Sequence, residues 1–211
     1  MRLQTLLEAR WIFLVLIFFL VIGARISRWL GLFWATVLLS TIYFFRDPDR
    51  EVPSAPDAIV AAADGKVVAV EEVFEPEILQ SMMKRIAIFL SVFDVHTNRA
   101  PLEGKIIYSR SHPGVFLDAR HPDATRRNAY RTWVLANPRA TLVVRQIAGA
   151  VARRIVGWSN VGDDLEKGTR FGMIRFGSRT EVYVPLDCSI TVKVGDRVRG
   201  GQSVIAKLPS I

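Results

Sequence analysis

The chain has 211 residues, half of them hydrophobic, which is enough for one folded domain with a sizeable core plus an appendage. A formal charge of +8 suits an anionic partner, nucleic acid or a membrane surface. The single cysteine, Cys188, excludes an intrachain disulfide and a cysteine-built metal site, and only His96, His112 and His121 can supply imidazole chemistry.

The apolar content is concentrated in the first 45 residues. Trp11 to Ala24 is an apolar run of about 14 residues, roughly 21 Å long as a helix. Trp29 to Phe45 is a second run of about 17 residues, roughly 26 Å, and each is somewhat short of a full span. Arg2, Arg10, Arg25, Arg28, Arg46 and Arg50 flank the runs, and Trp11, Trp29 and Tyr43 stand near their ends, where a membrane interface holds aromatic rings. A cleaved signal peptide accounts for the first run but not the second. A buried hairpin of a soluble domain accounts for their shortness. A membrane-associated helical hairpin over residues 1–46 accounts for both runs and for their ends, and it decides the basic charge in favour of a membrane rather than nucleic acid. The domain that follows is expected on the cytoplasmic side of the cell membrane.

Residues 47–57, rich in proline and charge, cannot continue a helix and form the linker. A β-rich domain is expected over residues 58–211. Residues 58–70 read as strand, Asp64-Gly65 turn, strand; Asp64 is a turn residue or a carboxylate placed to orient a base. Ile86 to Phe93 reads as a buried strand delivering Asp94-Val95-His96, with Asp94 and His96 on one face by strand alternation. His96 suits proton transfer; with no second His or Cys cluster, no metal site is expected. A strand follows at 103–108, then a turn at His112-Pro113-Gly114, then an irregular basic loop from Phe116 to Arg131. Further strands are expected over 132–135, 140–147 and 151–158. The motif G-D-x-[LV]-x-x-G occurs twice, at 162–168 and 195–201, and reads as scaffold.

Between the two copies lies Phe171-Gly172-Met173-Ile174-Arg175-Phe176-Gly177-Ser178-Arg179, which reads as two strands meeting at a Gly-Ser turn. A serine on a tight turn can be held with its hydroxyl against the preceding carbonyl carbon, the geometry of an intramolecular acyl shift. Taken alone, Gly-Ser also fits a turn with no chemistry.

Several of these stretches together resemble the short form of the phosphatidylserine decarboxylases. They are the hydrophobic hairpin running into Phe44-Phe45-Arg46-Asp47-Pro48, Ala63-Asp64-Gly65, Phe93 to Pro101, Arg145 to Gly149, Arg153 to Val156, and Arg170 to Arg179. The resemblance implies a mainly β (α+β) fold and a proenzyme that cuts itself between Gly177 and Ser178. A β fragment (1–177) and an α fragment (178–211) would remain together as a heterodimer, with a higher oligomer left open. Ser178 would become a pyruvoyl cofactor that forms a Schiff base with the substrate amine. Asp64 is the family's aspartate in self-cleavage, and His96 is the candidate for assisting decarboxylation or reprotonation. Arg99, Asn128 and Arg131 are candidate substrate-binding residues. Two positions depart from the family pattern: Arg99 stands where the long form has a second histidine, and Ala129 stands where short forms have a loop glutamate. The implied reaction is phosphatidylserine to phosphatidylethanolamine and CO2. The same chemistry on archaetidylserine is an alternative, and a membrane-tethered β scaffold without catalysis is another.

Overall fold

The computed structural model of the protein describes residues 3–150, 154–175 and 177–209, in two compact units, residues 1–49 and 50–211. Phe176 and the start of the expected 151–158 strand lie outside the described residues.

The first unit is a helical hairpin. Helix α1 (Leu3–Ile26) is followed directly by α2 (Arg28–Phe44). Ser27 separates them as the N-cap of α2, its hydroxyl accepting from the Trp29 N–H. The helices meet over small residues: a Cβ added at Gly31 would lie 2.9 Å from Cα of Ala24. Phe19 stacks on Trp34 at 4.8 Å. Thr36 and Thr41 return their hydroxyls to carbonyls one turn back, so neither is left unsatisfied in an apolar setting. Residues Leu7–Ile26 are long and apolar enough to cross a membrane; Arg28–Phe44 is shorter.

The second unit is built from strands β1 (Ala58–Val60), β2 (Gly65–Glu75), β3 (Ser81–Leu90), β4 (Thr97–Arg99) and β5 (Gly104–His112), then the single turn α3 (Ala124–Arg127). It continues with β6 (Tyr130–Ala136), β7 (Thr141–Ile147), β8 (Arg154–Gly157), β9 (Asp164–Leu165), β10 (Arg170–Arg175) and β11 (Ser178–Val184). The short strands β12 (Ser189–Ile190), β13 (Arg197–Val198) and β14 (Val204–Lys207) complete it. The mainly β expectation holds. A curled eight-stranded sheet runs β13-β2-β3-β11-β7-β6-β5-β9, with small sheets β4-β10-β8 and β1-β14-β12 beside it. Alternate residues of the large sheet fill one core, including Ile86, Ile88, Trp133, Val144, Val182 and Val184. Fully burying each such side chain contributes on the order of 1.5–3 kcal/mol.

The strand order is palindromic, and the repeated G-D-x-[LV]-x-x-G motif explains it. In the first copy Gly162 N–H donates to Ile106 and Asp163 O accepts from Ile106; in the second Gly195 and Asp196 do the same with Val67. Gly168 N–H then donates to Ala100 O, and Gly201 N–H to Ala61 O. All four glycines have φ between 74° and 102°, where a side chain is strained. Each copy therefore clamps the start of one hairpin, β5–β6 or β2–β3, and the repeat is a structural one.

Two local expectations are corrected. The strands flanking Asp64-Gly65 do not form a hairpin: β1 pairs with β14, while β2 pairs with β3 and β13. The strands flanking Gly177-Ser178 do not pair with each other either: β10 lies between β4 and β8, and β11 between β3 and β7. In both places the chain crosses from one sheet to another, and local alternation cannot distinguish a crossing from a return.

Candidate active site

Ser178 opens β11, opposite Leu90 of β3. Gly177 precedes it at φ +48°. The even residues of β11 face the core, so Ser178, Thr180, Val182 and Val184 share one side. The Ser178 hydroxyl is fully buried and has no hydrogen-bond partner among the described residues. A buried hydroxyl left unpaired carries a desolvation cost of about 1–3 kcal/mol, so it needs an explanation.

His96 precedes β4 and is also fully buried. Its Nδ1 lies 2.9 Å from the Asp94 carbonyl oxygen. A carbonyl only accepts, so Nδ1 carries a proton, and Nε2 is the ring nitrogen left for proton exchange. Two contacts tie this segment to the strands on either side of the Gly177-Ser178 bond. Ile174 N–H donates to the His96 carbonyl at 3.2 Å, and Asn98 Nδ2 donates to Thr180 Oγ1 at 3.0 Å. His96 and Ser178 each stand two residues before this Asn98–Thr180 pair, which joins β4 to β11. Asn98 is itself held by the Gln146 amide at 2.7 Å, which accepts from Trp133 Nε1 at 2.7 Å. This buried relay locks the two strands in register.

The expected shared strand face of Asp94 and His96 is not what forms. Residues 91–96 are a turn between β3 and β4. The Asp94 carboxylate closes that turn on Ser91 N–H (2.8 Å) and Oγ (2.7 Å) and meets Arg197 at 3.3 Å; only its carbonyl reaches the histidine.

Asp64 sits at the crossing between β1 and β2. Val60 N–H donates to Pro101 O, and Arg99 N–H to Ala62 O. Asp64 follows this pairing by two residues and lies near Asp94 of the β3–β4 turn. Its Oδ1 accepts from Gly200 N–H at 2.8 Å, and its Oδ2 pairs with Arg50 at 2.6 Å. Burial raises its pKa above the ordinary carboxylate value, and the nearby Asp94 adds to that; Arg50 and the Gly200 N–H work against the rise.

Gly149 backs the turn. A Cβ there would lie 2.1 Å from the Gly177 carbonyl oxygen, so only glycine lets the chain approach the Gly177-Ser178 bond this closely. Gly177 also lines a cleft of about 360 Å³ with Phe89, Ser91, Val92, Asp118 and Arg120. The Asp118–Arg120 pair at its rim is 2.6 Å apart, and Arg120 lies over the Phe89 ring. Arg120 holds the Asp118 carboxyl down to about 2.

The other face of β11 holds a buried charge network. Glu181 accepts from Arg179 (2.6 and 2.8 Å), Thr125 (2.8 Å) and Tyr183 (2.7 Å), with Arg85 at 3.5 Å. Burial opposes its charge, but Arg179 and Arg85 outweigh it and hold its pKa below the ordinary range. Thr125 and the Ala119 carbonyl belong to the 116–131 loop, so this network ties the cleft's rim to the strand that Ser178 begins.

The three remaining sequence candidates are engaged with other parts of the protein. Arg99 is buried, its guanidinium donating to Gly168 O at 3.3 Å and its stem packed on Gly201. Asn128 spends its amide on the Leu117 main chain and Ala148 O, pinning the loop. Arg131 lies over the Trp133 ring and donates to Ser109. Sequence reasoning missed Arg50, Asn98 and Gly149 as individual residues, although the last two fall inside stretches that carried the resemblance.

Residues 38–206 match the family described as Phosphatidylserine decarboxylase. The chain belongs to the phosphatidylserine decarboxylase family. It is 42% identical to the phosphatidylserine decarboxylase proenzyme of Symbiobacterium thermophilum, over 99% of this chain and 98% of that one. It is equally identical to the proenzyme so named from Carboxydothermus hydrogenoformans, over 95% of each chain. A third, from Geotalea daltonii, matches at 42% over 89% of this chain and 86% of its own. Membership makes this a decarboxylase of phospholipid biosynthesis, of a family whose relatives are named as zymogens.

Proposed function

We propose that the chain is a proenzyme that cuts itself between Gly177 and Ser178, and that it then decarboxylates phosphatidylserine to phosphatidylethanolamine and CO2. The observation that carries this reading is the buried, unpartnered Ser178 hydroxyl next to Gly177 at positive φ, with the buried His96 on the turn into β4, the strand whose Asn98 bonds Thr180 of β11.

In the first step the Ser178 Oγ proton passes to His96 Nε2, and Oγ bonds to the Gly177 carbonyl carbon. The C–N bond then breaks, the Ser178 nitrogen takes a proton, and an ester remains. Loss of the Ser178 Cα proton expels the Gly177 carboxylate from Cβ. Water adds to the resulting unsaturated residue and ammonia leaves, giving a pyruvoyl group at position 178. Asp64 acts as the carboxylate of this set, favouring the imidazolium that forms at His96. Burial of Ser178 excludes competing water until the ester has formed.

The pyruvoyl group supplies a carbonyl that condenses with an amine and takes up the electron pair released as CO2 departs. The unpaired Ser178 hydroxyl fits the making of that group, since no hydrogen bond among the described residues would be lost when it is spent. Arg120, a planar guanidinium at the rim of the cleft containing Gly177, suits a phosphate or carboxylate of the lipid headgroup. The helical hairpin suits a substrate that resides in a bilayer, with the catalytic unit on the cytoplasmic side.

Intact-mass measurement of the purified protein tests the reading. The wild type is expected as two fragments divided at residue 178, with CO2 released from phosphatidylserine in detergent micelles; Ser178→Ala is expected as one 23.7 kDa chain with no turnover. An uncut, folded wild type would overturn the self-cleavage; a cut enzyme inert toward phosphatidylserine would overturn the substrate.

A further inference from the structure

Arg50 begins the catalytic unit, in a charged, proline-rich stretch that gives it no distinguishing mark in the sequence. Its side chain is nevertheless only 10% exposed, and it forms a 2.6 Å ion pair with Asp64, whose side chain is 14% exposed. The two carboxylate oxygens of Asp64 are thereby divided between two donors: Gly200 N–H holds Oδ1 and Arg50 Nη2 holds Oδ2.

The charged and titratable groups around this carboxylate and its neighbour Asp94 come from three places. Arg50 comes from the segment before β1. Asp94 comes from the β3–β4 turn, and His96 follows it in the same turn. Arg197 of β13 faces Asp94 at 3.3 Å and satisfies that second acid. Arg50 is therefore the cation in direct contact with Asp64 among the described residues. The burial of Asp64 and the neighbouring Asp94 both favour its protonated form, and Arg50 opposes them.

We propose that Arg50 is a positioning residue for self-cleavage: it keeps Asp64 ionised and, with the Gly200 N–H, fixes the orientation of its carboxylate. The inference rests on the proposed role of Asp64. It means that the segment leading out of the hydrophobic hairpin must be seated before the Gly177-Ser178 bond can be cut.

The sign of the effect follows. A carboxylate with a raised pKa is protonated as pH falls through that raised value. Removing Arg50 lifts it further, so cleavage fails at a higher pH than in the wild type. Loss of an adjacent guanidinium moves such a group by roughly 1–3 pH units. A purely structural ion pair would instead slow cleavage by one factor at every pH.

The experiment follows cleavage of pulse-labelled full-length precursor, made by cell-free translation into lipid nanodiscs and then shifted to buffers across the acid-to-alkaline range. Arg50→Gln is expected to move the acid midpoint of the rate upward by roughly 1 pH unit or more and to approach the wild-type rate at alkaline pH. Arg50→Lys, which keeps the charge but not the planar fork, is expected to fall between them. A rate reduced equally at every pH overturns the proposal. If Arg50→Gln does not fold, carboxyl-carbon NMR titration of Asp64 in the uncut Ser178→Ala precursor, with and without Arg50→Lys, decides instead: a higher pKa with lysine supports it and an unchanged one overturns it. Asp64→Asn separates the two levels. If that variant cuts at the wild-type rate, the role of Asp64 falls and this inference with it. If it stalls while Arg50→Gln leaves the acid limb in place, this inference alone falls.

Discussion

The β2–β3 and β5–β6 hairpins are two uses of one frame. Each is clamped by a copy of the G-D-x-[LV]-x-x-G turn, and each begins at a glycine packed against a carbonyl of its partner strand: Gly65 on Phe89, and Gly104 on Ala136. The row Lys66–Phe89–Arg179 in one half corresponds to Lys105–Ala136–Thr141 in the other. By that register Ser178 occupies the place of Ala140, and Asp64 the place of Glu103. In the β5–β6 half the chain passes straight from β6 to β7, through a turn that Asn137 closes on Arg139 and Ala140. In the β2–β3 half the chain leaves β3 at Leu90 and returns only at Ser178. Glu103 is exposed, while Asp64 is covered and paired. The frame is common to both; what distinguishes the half proposed to react is an opened turn, a sheltered carboxylate and a histidine carried on the excursion.

That contrast can be broken at matched positions. The largest effect is expected from Asp64→Asn set beside Glu103→Gln. The first should slow self-cleavage by roughly 10²–10⁴-fold and the second by less than about twofold, read as the rate of fragment appearance. Equal effects would mean that the two halves differ only in shape. Next comes Gly149→Ala against Gly104→Ala. The added methyl of the first would lie 2.1 Å from the Gly177 oxygen, and that of the second 2.7 Å from the Ala136 oxygen. Displacing the reacting carbonyl should cost about 10²-fold in cleavage rate, whereas Gly104→Ala should lower the melting temperature with cleavage intact.

The smallest effect on chemistry, though not on stability, is expected from Glu181→Gln on the far face of β11. Breaking one partner of a buried ion network costs about 3–5 kcal/mol, to be measured by urea unfolding of the Ser178→Ala precursor. Because the folded pKa of Glu181 lies below its unfolded value, its contribution is present at neutral pH and above the unfolded carboxylate range. It is lost as pH falls through the depressed folded value, so the wild type should approach the variant in acid.

The sequence made some of this legible. The two apolar runs read as helices because nothing in them breaks the period, and Ser27 between them is a recognisable cap. The mainly β fold, the repeated turn and the family resemblance were readable too. What was not readable is pairing between distant strands. Asp64-Gly65 looks like a hairpin turn, since local alternation is blind to whether β1 returns on β2 or crosses to β14. Asp94-Val95-His96 looks like strand, yet it is a turn because the Asp94 carboxylate captures Ser91. Arg50 carried no signal, since one arginine in a charged linker gives no hint of the buried acid it meets.

One consequence lies in the placement of β10 and β11 in separate sheets. A cut at Gly177-Ser178 leaves the ladders of the described residues intact, because the bond links β10 to β11 and these two strands do not pair with each other. The C-terminal piece supplies β11 to the middle of the large sheet, β13 to its edge, and β14 between β1 and β12. A nicked molecule is then a woven pair of chains, and losing the short one means extracting a central strand. Before the cut, refolding is a first-order event; afterwards it requires two chains to find each other and depends on concentration. Maturation in this topology exchanges reversible folding for kinetic retention.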